Sequence, residues 1–234
     1  MKNKKFYFLF ILAAIFLFPS CEEEKVDDIN NVYSDTETEH QYVDLGLPSG
    51  TLWATTNVGA TEPHEYGCYY AWGETEVKNI FEWTNYKHIK AGETSWRQIN
   101  KYNANDGLTT LVASDDAATV NWGSKWKTPT SAQWNELRTE CTWRWTTSYN
   151  LSHIAGYIVT SKTDESKYIF LPAAGYCIDT RLRYVGKFGS YWSSSLRNAE
   201  RMFDASDVSF SSDVVGKHTD LRFMGYTIRP VYSK

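Results

Sequence analysis

Apolar runs in this chain are short, and that alone limits the folds open to it. Beyond residue 40 there is no heptad pattern, no long amphipathic helix, no low-complexity tract and no repeat of period 20–50. Short runs of β-branched and aromatic residues closed by turn formers recur instead, which is the signature of short strands. Tyr157-Ile158-Val159-Thr160 and Lys167-Tyr168-Ile169-Phe170-Leu171 flank Thr163-Asp164-Glu165-Ser166 and predict a hairpin. Residues 225–232 read as a last strand; Pro230 lacks an N–H and should lie at an edge or near its end.

Two segments carry helical signals. Over residues 130–141, Thr130 can cap the first turn and Gln133, three residues on, completes a capping-box pattern. Trp134, Leu137 and Cys141 then fall on one buried stripe. A weaker helix is expected over residues 95–102, with Trp96 and Ile99 as its apolar side. Trp143 and Trp145 alternate with polar residues, so they share one strand face. Ten tryptophans are present. Trp53, Trp72, Trp126, Trp134 and Trp192 are expected in the core, and Trp83, Trp96, Trp143 and Trp145 are freer but still expected to be buried.

The N-terminus has a different character. Lys2, Lys4 and Lys5 precede an unbroken apolar run over residues 6–18. At about 13 residues the run falls short of the roughly 20 that span a bilayer, and it reads as an export signal over residues 1–20. Phe18-Pro19-Ser20-Cys21 resembles the lipobox of bacterial lipoproteins, which implies acylation of Cys21, although Phe18 stands where an aliphatic residue is usual. Glu22-Glu23-Glu24 resembles the surface-export signal of lipoproteins in the Bacteroides group. Residues 21–40 are acidic and polar, too poor in apolar surface to offset ordering entropy, and are expected to form a flexible tether. Loss of the three signal lysines takes the net charge from −4 to about −7. That balance argues against a nucleic-acid partner. Residues 41–234 are of a size for one domain.

Five stretches in order carry a further resemblance. They are Val43-Asp44-Leu45-Gly46-Leu47-Pro48-Ser49-Gly50-Thr51-Leu52-Trp53-Ala54, Tyr70-Ala71-Trp72-Gly73-Glu74, Trp126-Lys127-Thr128-Pro129-Thr130 with Trp134 and Leu137, Phe170-Leu171-Pro172-Ala173-Ala174-Gly175-Tyr176, and Tyr191-Trp192-Ser193-Ser194-Ser195 with residues 225–231. Together they resemble the Fibrobacter-succinogenes-type major paralogous domain, found in surface and secreted proteins of the Bacteroides group. That family is similar to the C-type-lectin-like fold, near its formylglycine-generating branch. The resemblance implies an α+β single domain: small twisted antiparallel sheets, paired N- and C-terminal strands, two flanking helices and long loops. It implies no activity by itself.

Catalytic signatures are not met. A formylglycine-generating oxidase needs a reactive cysteine pair near the last strand, and no cysteine follows Cys177. The five histidines, His40, His64, His88, His153 and His218, lack metal-ligand spacing. Glu62-Pro63-His64 lacks the asparagine oxygen of a calcium-dependent lectin motif. Ser193-Ser194-Ser195 has no histidine at a family position to activate it. Neither cofactor nor metal is expected. Cys68 and Cys177 stand where the family more often has polar residues; they either pair as a disulfide or remain independent thiols, while Cys141 is a buried thiol.

The segment 197–222 is the best site candidate, with Asn198, Arg201, Asp204, Asp207, Asp213 and His218 as expected ligand contacts. The expected function is that of a non-catalytic recognition module, held in the outer membrane by its lipid, exposed at the cell surface and binding a glycan or protein. The alternatives are a structural subunit of a surface fibre or envelope complex, and a degenerate relative of formylglycine-generating oxidases.

Overall fold

A computed structural model describes residues 32–34, 40–197 and 201–233. Cys21, Asn198 and most of the expected signal and tether lie outside them. In chain order the strands are β1 (Val32–Ser34), β2 (Gln41–Asp44), β3 (Leu52–Ala54), β4 (Trp126–Lys127), β5 (Cys141–Thr146), β6 (Gly156–Ser161), β7 (Tyr168–Pro172), β8 (Tyr176–Ile178), β9 (Arg181–Arg183), β10 (Gly189–Leu196), β11 (Asp204–Phe210), β12 (Val215–Leu221) and β13 (Val231–Tyr232). The helices are α1 (Ala117–Trp122) and α2 (Ser131–Glu140). The class is α+β, with the strands arranged in small antiparallel sheets.

One sheet runs β1-β2-β3-β13-β4, so the N- and C-terminal strands pair: Val231 lies between Trp53 and Lys127. A second sheet is β5-β6-β7, a third β10-β11-β12, and β8-β9 forms a hairpin. The expected hairpin of β6 and β7 is present, with Ile158 opposite Phe170 and its turn held by Asp164, which accepts from Ser166 N–H. Trp143 and Trp145 share a face and both pack edge-on against Tyr157. The core lies in two clusters. One holds Trp53, Trp134, Leu137, Tyr191 and Phe210, and the other Trp72, Trp122, Trp126, Trp192 and Tyr226.

Helix α2 begins as its sequence dictates. Thr130 Oγ1 accepts from Gln133 N–H, and Gln133 Oε1 accepts from Thr130 N–H. Trp134 and Leu137 are buried; Cys141 is buried too, but as the first residue of β5.

Three expectations need correction, and one helix was not foreseen. Residues 95–102 form no α-helix: a single 3-10 turn, Trp96–Gln98, is capped by Ser95 and followed by extended backbone that bridges Ile99 to Ile89. Helix α1 was not foreseen because its six residues make fewer than two turns, too few for a periodic signal. It is nucleated by Asp116, which accepts from Ala118 and Thr119 N–H. The tether is not free throughout, since Val32–Ser34 pairs with β2 and Tyr33 stacks on Tyr42 at 5.7 Å. The last strand is broken: residues 225–227 make isolated bridges to three different segments, and only Val231–Tyr232 joins a sheet.

Arg229, which lies between those two parts, is fully buried. Its guanidinium donates to Asn57 Oδ1 (2.8 Å), Thr55 O (2.9 Å), Ala54 O (3.2 Å) and Phe170 O (2.9 Å). Burial lowers its pKa to about 10. Arg222, also fully buried, donates to Tyr86 Oη and to the carbonyls of Lys101, Tyr102 and Met202, and lies over the Trp72 ring. In a domain with long loops, buried carbonyls that no ladder satisfies need donors from elsewhere. These two side chains supply them.

Candidate functional site

Register decides what the C-terminal sheet offers to solvent. In an antiparallel pair, residues directly opposite share a face. Trp192, Asp207 and His218 line up across β10, β11 and β12, as do Ser190, Ser209 and Gly216. All of β11 is buried, so both of its faces are covered.

Asp204 and Asp207, expected as ligand contacts, are therefore turned into the protein. Asp207 is 1 % exposed; its Oδ2 accepts from Ser209 Oγ at 2.5 Å and its Oδ1 has no partner. Burial pushes its carboxyl up to about 7; the Ser209 bond opposes this and the charge of Asp220 adds to it. Asp220 in turn accepts from Tyr226 Oη at 2.6 Å. Asp204 is buried and ion-paired with Arg201 at 3.1 Å. Its pKa is raised by burial against the pull of Arg201 and Arg197. Asp213 is exposed in the β11–β12 turn. His218 is exposed on β12 with its ring against Gly216.

Two clefts flank the start of α2. The larger, about 780 Å³, lies between α1, β4 and α2. Seven of its thirteen lining residues are serine or threonine, among them Thr110, Ser124, Thr130 and Ser194, and Lys127 and Gln133 also line it. Thr110, Ser124 and Lys127 are exposed. Asp116 at its floor is fully engaged, accepting from Thr128 Oγ1 (2.6 Å) and Thr128 N–H as well as from the first turn of α1. The smaller cleft, about 480 Å³, is lined by Ser131, Arg197, Ser206, Lys217, His218 and Thr219, with Leu196. Of the expected contacts, only His218 reaches it. Arg197 opens the segment expected to hold the site, whereas Ser131, the first residue of α2 after its cap Thr130, gave no signal of its own.

A dense ionisable cluster lies elsewhere, unforeseen from the sequence. Asp115, buried, accepts from Lys101 Nζ (2.5 Å), Lys87 Nζ (2.9 Å) and Tyr102 Oη (2.9 Å). Burial opposes its ionisation, but those bonds hold its pKa down to about 2. Burial also pushes the neighbouring His88 down to about 4, so His88 is neutral at pH 7 and its Nε2–H donates to Gly73 O. Perturbed ionisable groups often mark active sites. Here the void beside Asp115 and Trp72 has no room for a water molecule, and the cluster serves as a structural hub.

Cys68, Cys141 and Cys177 are free thiols, so the pairing of Cys68 with Cys177 is not formed. Cys177 is bridged to Gly225, whereas Cys68 is tied through Val58 to Ile228. Burial pushes the Cys141 and Cys177 thiols up to about 11. Among the described residues no three His, Cys, Asp or Glu are grouped to hold a metal ion, and no helix is long and apolar enough to cross a membrane. No protein family, curated protein or solved structure matches the chain.

Proposed function

We propose that this chain is a lipid-anchored, surface-displayed recognition module that binds a glycan without transforming it. The observation that carries this reading is the serine- and threonine-rich cleft beside the start of α2. A hydroxyl rotates to donate or accept, which suits the mixed donor and acceptor pattern of sugar hydroxyls. Its volume of about 780 Å³ lies in the range of small-ligand sites, roughly 300–1,000 Å³. Thr119, Lys127, Gln133, Ser194 and Val231 anchor the cleft on helices and strands, while Thr110 and Ser124 reach it from loops.

The fold reading goes with it. We assign a C-type-lectin-like fold of the Fibrobacter-succinogenes-type major paralogous domain. Its supports are the paired terminal strands, the Lys127-Thr128-Pro129-Thr130 lead into α2 and the buried Arg229 after Gly225. Lipidation at Cys21 and display on the outer membrane rest on residues 1–24.

The test is a glycan and host-protein array probed with the full chain in detergent, beside a Thr110→Ala, Ser124→Ala, Lys127→Ala variant of unchanged melting temperature. Glycan binding that the variant loses supports the reading. Glycan binding that survives moves the site, and protein binding alone replaces the ligand class. If the folded protein binds nothing and instead assembles with concentration in light scattering, the structural-subunit reading takes its place.

A further inference from the structure

The smaller cleft differs in chemistry from its larger neighbour. Its residues come from four places: Ser131 from α2, Arg197 from the end of β10, Ser206 from β11, and Lys217, His218 and Thr219 from β12. None of its lining residues is acidic. Among the described residues, neither Arg197 nor Lys217 makes an ion pair within 4 Å. Asp204, which feels the charge of Arg197, is buried and already held by Arg201. Lys217 and Thr219 share one face of β12 with Ser206 opposite Thr219, so their side chains converge on the same side of the sheet. Ser131 Oγ is shielded from solvent and has no hydrogen-bond partner, so Ser131 contributes shape rather than a hydroxyl contact to the cleft wall. Lys217 is a point charge and Arg197 a planar fork, both suited to carboxylate or sulfate.

We infer that this cleft is an anion subsite, and that the glycan taken by the module carries a carboxylate or sulfate group which Arg197 and Lys217 bind. This rests on the glycan reading above and adds the class of sugar: uronic-acid or sulfated rather than neutral. The neutral part of the ligand lies in the hydroxyl-lined cleft across the start of α2, with Thr130 on that side and Ser131 on this one.

The experiment compares matched oligosaccharides on the full chain in detergent: a uronic-acid glycan, its carboxyl-reduced form, a sulfated glycan and its desulfated form, with inorganic sulfate and glucuronate titrated separately. The expected result is at least tenfold tighter binding of the acidic members, narrowed by 0.5 M salt. Lys217→Ala and Arg197→Ala should each remove most of that preference, and Lys217→Arg should keep it. Both side chains are exposed, so melting temperatures should not move. Equal binding of acidic and neutral glycans, or a preference that survives Lys217→Ala, overturns the inference and leaves the glycan reading intact. Binding of sulfate and glucuronate, lost in Lys217→Ala but with no glycan bound, keeps the anion site and overturns the glycan reading. No binding of any probe overturns both.

Discussion

Asp207 gives the sharpest test of the buried sheet. Its carboxyl is 1 % exposed, one oxygen has no partner, and burial raises its pKa from 3.8 to about 7. The folded state therefore holds a proton that the unfolded state releases above pH 3.8. The contribution of Asp207 to stability is most favourable at and below that pH, declines as pH rises and levels off above about pH 7. About three pKa units at about 1.4 kcal/mol each make a penalty of roughly 4 kcal/mol at pH 8.5. Asp207→Asn removes the charge and keeps an acceptor for Ser209. Its advantage over wild type should be close to zero at pH 4 and reach roughly 3–4 kcal/mol at pH 8.5, about 10 °C in Tm for a domain of this size. Urea denaturation followed by tryptophan fluorescence at pH 4, 5.5, 7 and 8.5 measures it. A wild-type–variant difference that is flat across those pH values, or a variant less stable at pH 8.5, would refute the reasoning.

Other substitutions probe other parts of the fold. Arg229→Leu strands the carbonyls of Ala54, Thr55 and Phe170 together with Asn57 Oδ1; denaturant titration should show a loss of roughly 3–5 kcal/mol. Gly175 sits at φ +65, and an added Cβ would lie 2.0 Å from Arg183 O. Gly175→Ala should therefore cost at least roughly 2 kcal/mol in the same assay and loosen the β8–β9 hairpin in hydrogen exchange. Iodoacetamide at pH 8 should label Cys141 and Cys177 far more slowly than a free cysteine peptide, because burial holds both thiols protonated; peptide mass spectrometry reads each site.

Local signals in the sequence survived into the structure. The capping box at Thr130 and Gln133 and the β6–β7 hairpin are fixed by residues within a few positions of one another, and both stand where expected. What depended on distant partners did not show. Residues 204–210 place Asp204, Ser206, Val208 and Phe210 on one face and Ala205, Asp207 and Ser209 on the other, and a strand with so many polar side chains ordinarily has one face in water. Both faces are covered here, so the polar row holding Asp207 and Ser209 lies inside. Asp115 read as one of two adjacent acids, and nothing near it in sequence announced that Lys87 and Lys101 would converge on it. The site was half legible: segment 197–222 supplies four strand-side residues of the smaller cleft and its Arg197, but its acids point inward and Ser131 arrives from a helix.

The Arg229 guanidinium also imposes an order of events. Its acceptors lie 59 to 175 residues earlier in the chain, and it stands five residues from the end of the sequence. A nascent chain that has not yet delivered residue 229 holds those carbonyls unmatched and lacks β13 between β3 and β4. The part of the domain before residue 229 therefore has no finished native state of its own, and closure waits for Arg229 and β13 to arrive.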